Sequence, residues 1–242
     1  MRLAIVSDIH GNLEALQAVL RDIEDRQIDQ IVCLGDVVGY GCDPVACLEL
    51  VTEQCAVTLM GNHEHAVLGQ LEDQPMNEAP QASMEWTKQQ LDDRHLQIIA
   101  RFPMDHTIEK IYLVHASPHQ PDKWPYILTP PAARRGFDAT SAWITFFGHT
   151  HLPTIFALSK GDQCRSRFGH DFQPLDENRY LVNVGSVGQP RDDDPRSCYA
   201  IFDTTTVDVF YRRVPYDYKE TQRKMVAADA PPLLVERLAI GR

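Results

Sequence analysis

Apolar positions along the chain alternate between two rhythms. Residues 2 to 6 form a short apolar run with Ile and Val that stops at Ser7-Asp8, the mark of a strand covered on both faces. Leu13, Leu16, Val19, Leu20 and Ile23 then recur at three- and four-residue spacings behind Asn12, which predicts a helix with Asn12 as its N-cap. Residues 31–34 repeat the buried-strand pattern, Pro44 to Val51 predicts a second helix, and residues 56–60 a third strand. This strand–helix alternation predicts a parallel sheet, and such sheets collect their ligands at the C-terminal ends of the strands.

Residues 70–80 are expected to form a surface connection, and residues 81–100 carry mixed helical signals with Leu91, Leu96, Ile98 and Ile99 as core candidates. Strands are predicted at 111–114, 143–147, 154–158, 180–184, 198–202 and 207–214. The short turns between several of them suggest a second sheet with more antiparallel pairing. A helical segment is expected from about residue 216, interrupted at Pro231-Pro232, and nothing marks a linker, so residues 1–242 are expected to form one domain.

Composition narrows the function. With 23 basic and 34 acidic side chains the formal charge is −11, which disfavours partners recognised by phosphate neutralisation, nucleic acid and anionic lipid alike. No apolar run approaches the roughly 20 residues of a membrane span. The six cysteines include no C-x-x-C pair and are expected as reduced packing thiols, which fits a cytoplasmic protein. Homo-oligomerisation stays open.

Five polar clusters close predicted strands: Asp8-Ile9-His10, Gly35-Asp36-Val37-Val38-Gly39, Gly61-Asn62-His63-Glu64, Val114-His115-Ala116 and Gly148-His149-Thr150-His151. Any one has an ordinary structural explanation as a cap, turn or hydrogen-bonded histidine; five in one chain do not. In an extended segment residues two apart point to one side, so Asp8 with His10, and His149 with His151, are each expected to converge. Imidazole, carboxylate and amide donors without cysteine suit Mn²⁺, Fe or Zn²⁺. Seven such ligands exceed the needs of one ion, and the two oxygens of Asp36 suit a bridge between ions about 3.5–4 Å apart.

The ordered set D-x-H, G-D-x-x-G, G-N-H-E, V-H and G-H-T-H resembles the calcineurin-like metallophosphoesterases over residues 4–191. The segment from Asn183 to Arg191 is most similar to the small bacterial and archaeal phosphodiesterase-like members. The resemblance implies an α/β fold, a four-layer α/β/β/α sandwich of two mixed sheets. It implies one metal on Asp8, His10, Asp36 and His151 and another on Asp36, Asn62, His115 and His149. His63 is implied as the catalytic residue beside substrate, and attack on a phosphodiester as the work of a metal-bridging hydroxide. Mn²⁺ is the leading cofactor, with Fe, Zn, Ni, Co and Mg as alternatives, and the partner is a small-molecule phosphoester.

A phosphomonoesterase, a nucleotide pyrophosphohydrolase and a non-catalytic metal-binding scaffold are the alternative functions. Protein phosphatases of the superfamily resemble G-D-x-x-D-R-G after the second motif. Here Gly39-Tyr40-Gly41 offers no cation, which leaves the phosphate-facing role open; Asn62, His63 and Arg191 are the substrate-binding candidates, Arg191 weighed against a local ion pair with Asp192–Asp194 or a solvated loop position. Substrate selectivity is expected from the loops at 117–131 and 186–196.

Overall fold

A computed structural model describes residues 1–71 and 77–242; the middle of the connection expected at 70–80 lies outside them. The first sheet has the order β11-β10-β1-β2-β3, formed by β1 (Arg2–Val6), β2 (Gln30–Cys33), β3 (Val57–Thr58), β10 (Ser197–Asp203) and β11 (Asp208–Val214). β1, β2 and β3 run parallel, as the alternation predicts, joined by α1 (Leu13–Glu24) and α2 (Pro44–Gln54). Asn12 caps α1 by accepting the Ala15 amide at 3.1 Å.

The second sheet has the order β4-β5-β6-β9-β7-β8, from β4 (Asp105–Ile108), β5 (Ile111–Val114), β6 (Ile144–Phe147), β7 (Thr154–Leu158), β8 (Cys164–Phe168) and β9 (Arg179–Asn183). Both sheets are mixed. The sequence suggested that the strands near 198–202 and 207–214 join the second sheet; they do not. β10 returns to the first and lies antiparallel to β1, with Leu3 opposite Phe202. Burial explains the choice: β10 is covered on both faces, with Ala200 and Phe202 between the sheets and Tyr199 and Ile201 among the helices.

Period-two alternation sorts the strand side chains into layers. Leu3, Ile5, Val32 and Leu34 meet Leu113, Phe146 and Val182 between the two sheets. Ala4, Val6 and Cys33 face the opposite way, onto Leu16, Val19 and Ile23 of α1 and Leu48 of α2. The far face of the second sheet packs Val114, Phe147 and Leu181 against Ala133 and Phe137 of a later helix, α6 (Pro130–Ala139). The result is the expected α/β/β/α stack.

Between the sheets' strands come α3 (Asn62–Val67), α4 (Glu78–Gln90) and α5 (Asp93–Ile99); α4 and α5 resolve the mixed signal at 81–100, the break falling at Leu91-Asp92, where Asp92 caps α5 through the His95 amide. At the C-terminal end α7 (Tyr218–Ala227), α8 (Pro232–Glu236) and a 3-10 turn at Arg237–Ala239 pack Met225, Leu234 and Leu238 together with Tyr40. No helix among the described residues is long and apolar enough to cross a membrane, and all six cysteines are free thiols.

Candidate metal centre

The parallel strands of both sheets deliver their C-terminal ends to one place. Asp8 and His10 follow β1, Asp36 follows β2, Asn62 opens α3 after β3, His115 follows β5, and His149 and His151 follow β6. The structure brings all seven together. Asp8, His10 and His151 form one group of donor atoms mutually within 4.8 Å, Asp36, His115 and His149 form another, and Asp36 also groups with His10 and His63. The Asn62 amide oxygen lies 3.2 Å from His115 Nε2.

The route to convergence differs from the expectation. Neither D-x-H nor H-x-H is extended: Asp8, His10, Asp36, His149 and His151 all take left-handed backbone, with φ between 51° and 65°. Non-glycine residues pay for that conformation, and Asp and His are among those that tolerate it best. Short left-handed turns at strand ends aim each side chain back over the sheet edge, and their concentration here marks a built site.

Main-chain carbonyls orient the imidazoles. His10 Nδ1 donates to the Val38 carbonyl at 3.3 Å, His115 Nδ1 to Leu34 at 3.0 Å, His151 Nδ1 to Gln189 at 2.6 Å, and His149 Nε2 to Trp124 at 3.0 Å. A carbonyl only accepts, so each of these nitrogens carries the proton and the other ring nitrogen presents a lone pair. The consequence is a pocket of facing acceptors. His10 Nε2 and His151 Nε2 lie 3.0 Å apart, with Asp8 Oδ1 3.3 Å from the latter, and Asp36 Oδ2 stands 3.3 Å from His115 Nε2 and 3.7 Å from His10 Nε2. Lone pairs crowded in a buried space repel one another unless a cation lies among them. The donor set, nitrogen and oxygen without thiolate, fits a divalent metal ion.

Without a metal ion the histidines divide: His10 and His149 are held neutral, while His115 takes a proton. Burial opposes ionising Asp36, yet His115 and His63 beside it hold its carboxyl well below the usual range. Burial likewise opposes charging His115, but Asp36 outweighs it and raises the imidazole to about 9, so in the metal-free protein a proton on Nε2 faces Asp36 in the place a metal ion would take. Burial and the neighbouring His115 push His149 down to about 3. Burial also lowers His10, which lies near the rings of His63 and His151.

His63 sits beside this pocket, its Nε2 4.0 Å from Asp36 Oδ2. Its ring packs edge-on against His10 and Tyr40, with centroids at 4.6 and 4.5 Å. Its backbone amide donates to Asp36 Oδ1 at 2.9 Å, while Nδ1 is buried with no protein partner among the described residues. Gly39, at φ +87°, makes room: a Cβ there would stand 2.0 Å from His63 Nδ1.

Glu64 serves the backbone and, among the described residues, hydrogen-bonds no ligand histidine. It is fully buried and accepts four backbone N–H groups: Asp36 and Val37 at 2.8 Å, Gly61 at 3.0 Å and Val38 at 3.1 Å. It thus clamps the loop carrying Asp36 to the start of α3. Burial with Asp36 nearby pushes its carboxyl up to about 7.

Arg191 lies over the Tyr40 ring, 6.0 Å from its centroid, and donates to Gln189 Oε1 at 2.8 Å. Among the described residues it forms no ion pair with the acids that follow it. Asp192 pairs with Arg213, Asp193 with Arg242 and Asp194 with Arg196. The position where relatives resembling protein phosphatases carry arginine is therefore an aromatic platform here, with Arg191 reaching over it from another loop. Tyr126, 52% exposed, stacks on His149 at 4.1 Å and 19°, whereas Trp124 is buried.

Two mixed sheets sandwiched by helices, with an Asp/His/Asn centre at the strand ends, define the metallophosphoesterase class. The chain belongs to the calcineurin-like phosphoesterase superfamily, whose domain matches residues 1–207. It is 38% identical over 245 residues to an uncharacterized protein of Methanocaldococcus jannaschii, covering 99% of this chain and 98% of that one. Among solved structures it is similar to a metallophosphoesterase from Sphaerobacter thermophilus, with TM-score 0.88, 37% identity and full coverage of both chains. A hypothetical protein from Pyrococcus horikoshii OT3 shares the fold at TM-score 0.80 and 16% identity, over 100% of this chain and 98% of that one.

Proposed function

We propose that the protein hydrolyses a small phosphodiester with two divalent ions, Mn²⁺ foremost, held by Asp8, His10, Asp36 and His151 on one side and Asp36, Asn62, His115 and His149 on the other. The observation that carries this is the position of Asp36, whose Oδ2 lies within 3.3–3.7 Å of imidazoles belonging to both groups. When bound, such ions supply Lewis acidity to phosphoryl oxygens and acidify water.

The chain's own residues do the rest. Histidines locked by main-chain carbonyls present fixed lone pairs, so no reorganisation is needed when the ions are held. His63 lies beside the pocket with a buried Nδ1 that has no partner among the described residues, in place to donate to a phosphoryl oxygen or to protonate the leaving oxygen. Arg191 adds a fixed positive charge above Tyr40 for the substrate's remaining charge. Free thiols and the lack of a spanning helix among the described residues accord with a cytoplasmic setting.

The test is hydrolysis of a chromogenic phosphodiester and its matched monoester by metal-stripped protein, with and without Mn²⁺, with Asp36→Asn as control. Mn²⁺-dependent turnover of the diester that disappears in the variant is the expected result. Preference for the monoester would move the function to the phosphomonoesterase alternative, and inactivity on both with two ions bound would favour the scaffold.

A further inference from the structure

The segment that follows β9 is fastened to the metal centre through its backbone. Ser186 Oγ donates to the Asp8 carbonyl and accepts the Gln189 N–H, both at 2.8 Å. The Gly188 N–H donates to the same Asp8 carbonyl at 2.9 Å, and a Cβ at Gly188 would stand 1.7 Å from the Ile9 carbonyl oxygen, so only glycine lets the loop lie this close. The Gln189 carbonyl accepts from His151 Nδ1, and the Arg191 N–H donates to the His151 carbonyl at 3.3 Å. Gln189 is thereby buried against the centre, 2% exposed.

From that fixed base its side chain holds Arg191. Gln189 Oε1 accepts from Arg191 Nε at 3.3 Å and from Nη2 at 2.8 Å. A guanidinium only donates, so the amide turns its oxygen toward Arg191, and the two-point contact fixes the plane of the group as well as its place. The partner is neutral. Asp192, Asp193 and Asp194 face Arg213, Arg242 and Arg196, and the Asp193 N–H is tied to the Gly241 carbonyl at 2.9 Å. Among the described residues, therefore, Arg191 is oriented without being neutralised.

The cation so held lies at the mouth of the centre. It stands over Tyr40, which packs on His10 at 4.5 Å, while Tyr126 stacks on His149. Burial raises both phenols and the Arg191 charge opposes the rise in each, so the guanidinium sits between tyrosines that rest on histidines of both donor groups.

We propose that Gln189 is the positioning residue of Arg191: its amide oxygen aims an uncancelled positive charge at the oxygens of the phosphoryl group held at the centre, and anion affinity depends on Gln189 through Arg191 alone. The assignment rests on the phosphoesterase reading for its purpose.

Inorganic phosphate, titrated calorimetrically into the Mn²⁺-loaded full chain, tests the assignment without hydrolysis, and KM and kcat for the chromogenic diester test it with turnover. Gln189→Met keeps the length and removes the acceptor; Gln189→Glu keeps the acceptor and adds the charge that cancels Arg191. Gln189→Met should weaken phosphate binding about three- to tenfold and raise KM by the same factor, with kcat within about twofold of the parent. Gln189→Glu should match Arg191→Ala, at about tenfold. In the Arg191→Ala background, Gln189→Met should change phosphate affinity by less than about twofold, because a residue that acts through Arg191 then has nothing left to position. Circular dichroism establishes that each variant is folded. A full effect of Gln189→Met in that background, parent-like phosphate affinity in both Gln189 variants, or no saturable phosphate binding by the parent overturns the assignment. So does loss of bound Mn²⁺ in Gln189→Met, which would place the residue's role at His151. Phosphate binding coupled through both residues in a chain inert toward both esters would keep the positioning role and sink the enzyme reading, and diester turnover without that coupling would do the opposite.

Discussion

His10 Nε2 and His151 Nε2 face each other across 3.0 Å while the Nδ1 of each donates to a main-chain carbonyl, Val38 for the first and Gln189 for the second. Both rings thus turn lone pairs toward the same point, with Asp8 Oδ1 beside it. The fold holds a repulsive arrangement that a cation relieves.

Metal binding should therefore stabilise the fold. Mn²⁺ at a hundred times its dissociation constant should add about 2.7 kcal/mol, read as a rise in urea midpoint that EDTA reverses. His10→Ala with His151→Ala should reduce the gain and lower the metal content measured by atomic emission after gel filtration. An unchanged metal content in that double variant would remove both histidines from the ligand set.

His63 is held by packing and by Gly39, not by a ligand bond, so its removal should spare the metals. His63→Ala is expected to lower turnover about 10²–10⁴-fold, the scale of one general acid, with metal content as in the parent. Gly39→Ala should mimic it in part, because its Cβ would overlap His63 Nδ1 at a position with φ +87°. Loss of metal together with activity in His63→Ala would contradict the role.

Arg191 is freed for substrate because Asp192, Asp193 and Asp194 are engaged by other arginines. Arg191→Ala should raise KM about tenfold, the cost of a single charge-assisted contact of about 1.5 kcal/mol, and leave the bound metal untouched. Unchanged kcat and KM would take Arg191 out of the site.

The Glu64 clamp links stability to the centre. Glu64→Ala leaves four buried N–H groups unpaired and should cost at least about 2–4 kcal/mol, measured by urea unfolding of the metal-free chain. It should also weaken metal binding, because Asp36 is one of the residues the clamp holds. A loss below 1 kcal/mol would mean that water or a rearranged loop replaces the carboxylate.

The parts legible in the sequence were those written in side-chain pattern. β1, α1, α2 and β7 follow from apolar spacing, and the meeting of Asp8, His10, Asp36, Asn62, His115, His149 and His151 follows from motif order and strand-end position. What escaped was carried by other signals. β8 is Cys-Arg-Ser-Arg-Phe, exposed along most of its length, and has no apolar face to announce it. α6 was hidden in a Pro-rich stretch, though Thr129 before Pro130-Pro131 and the pair Ala133 and Phe137 were its cap and its buried face. The carbonyls of Leu34, Val38, Trp124 and Gln189 that orient the histidines have no sequence signature, since every residue has one. The left-handed turns likewise depend on tertiary contacts that local spacing does not encode.

Asp22 makes the last prediction, on acid stability away from the centre. It lies on α1 and receives hydrogen bonds from Arg26 and from Tyr199 of β10, both at 2.7 Å, and from Arg212 of β11 at 3.3 Å, so it ties the first helix to the β10–β11 hairpin. Burial opposes its charge, but Arg26, Arg212 and Tyr199 prevail and lower its pKa from 3.8 to about 2. A carboxyl depressed in the folded state stabilises the fold above its unfolded value, and that stabilisation fades as pH falls from about 4 toward 2. Discounted for solvent screening, the contribution is about 1–2 kcal/mol. Asp22→Asn should therefore be less stable than the parent at pH 6 by that amount, and the two curves should approach each other below pH 4. Parallel curves from pH 6 to pH 2.5 would show that the network acts through packing and not through the charge of Asp22.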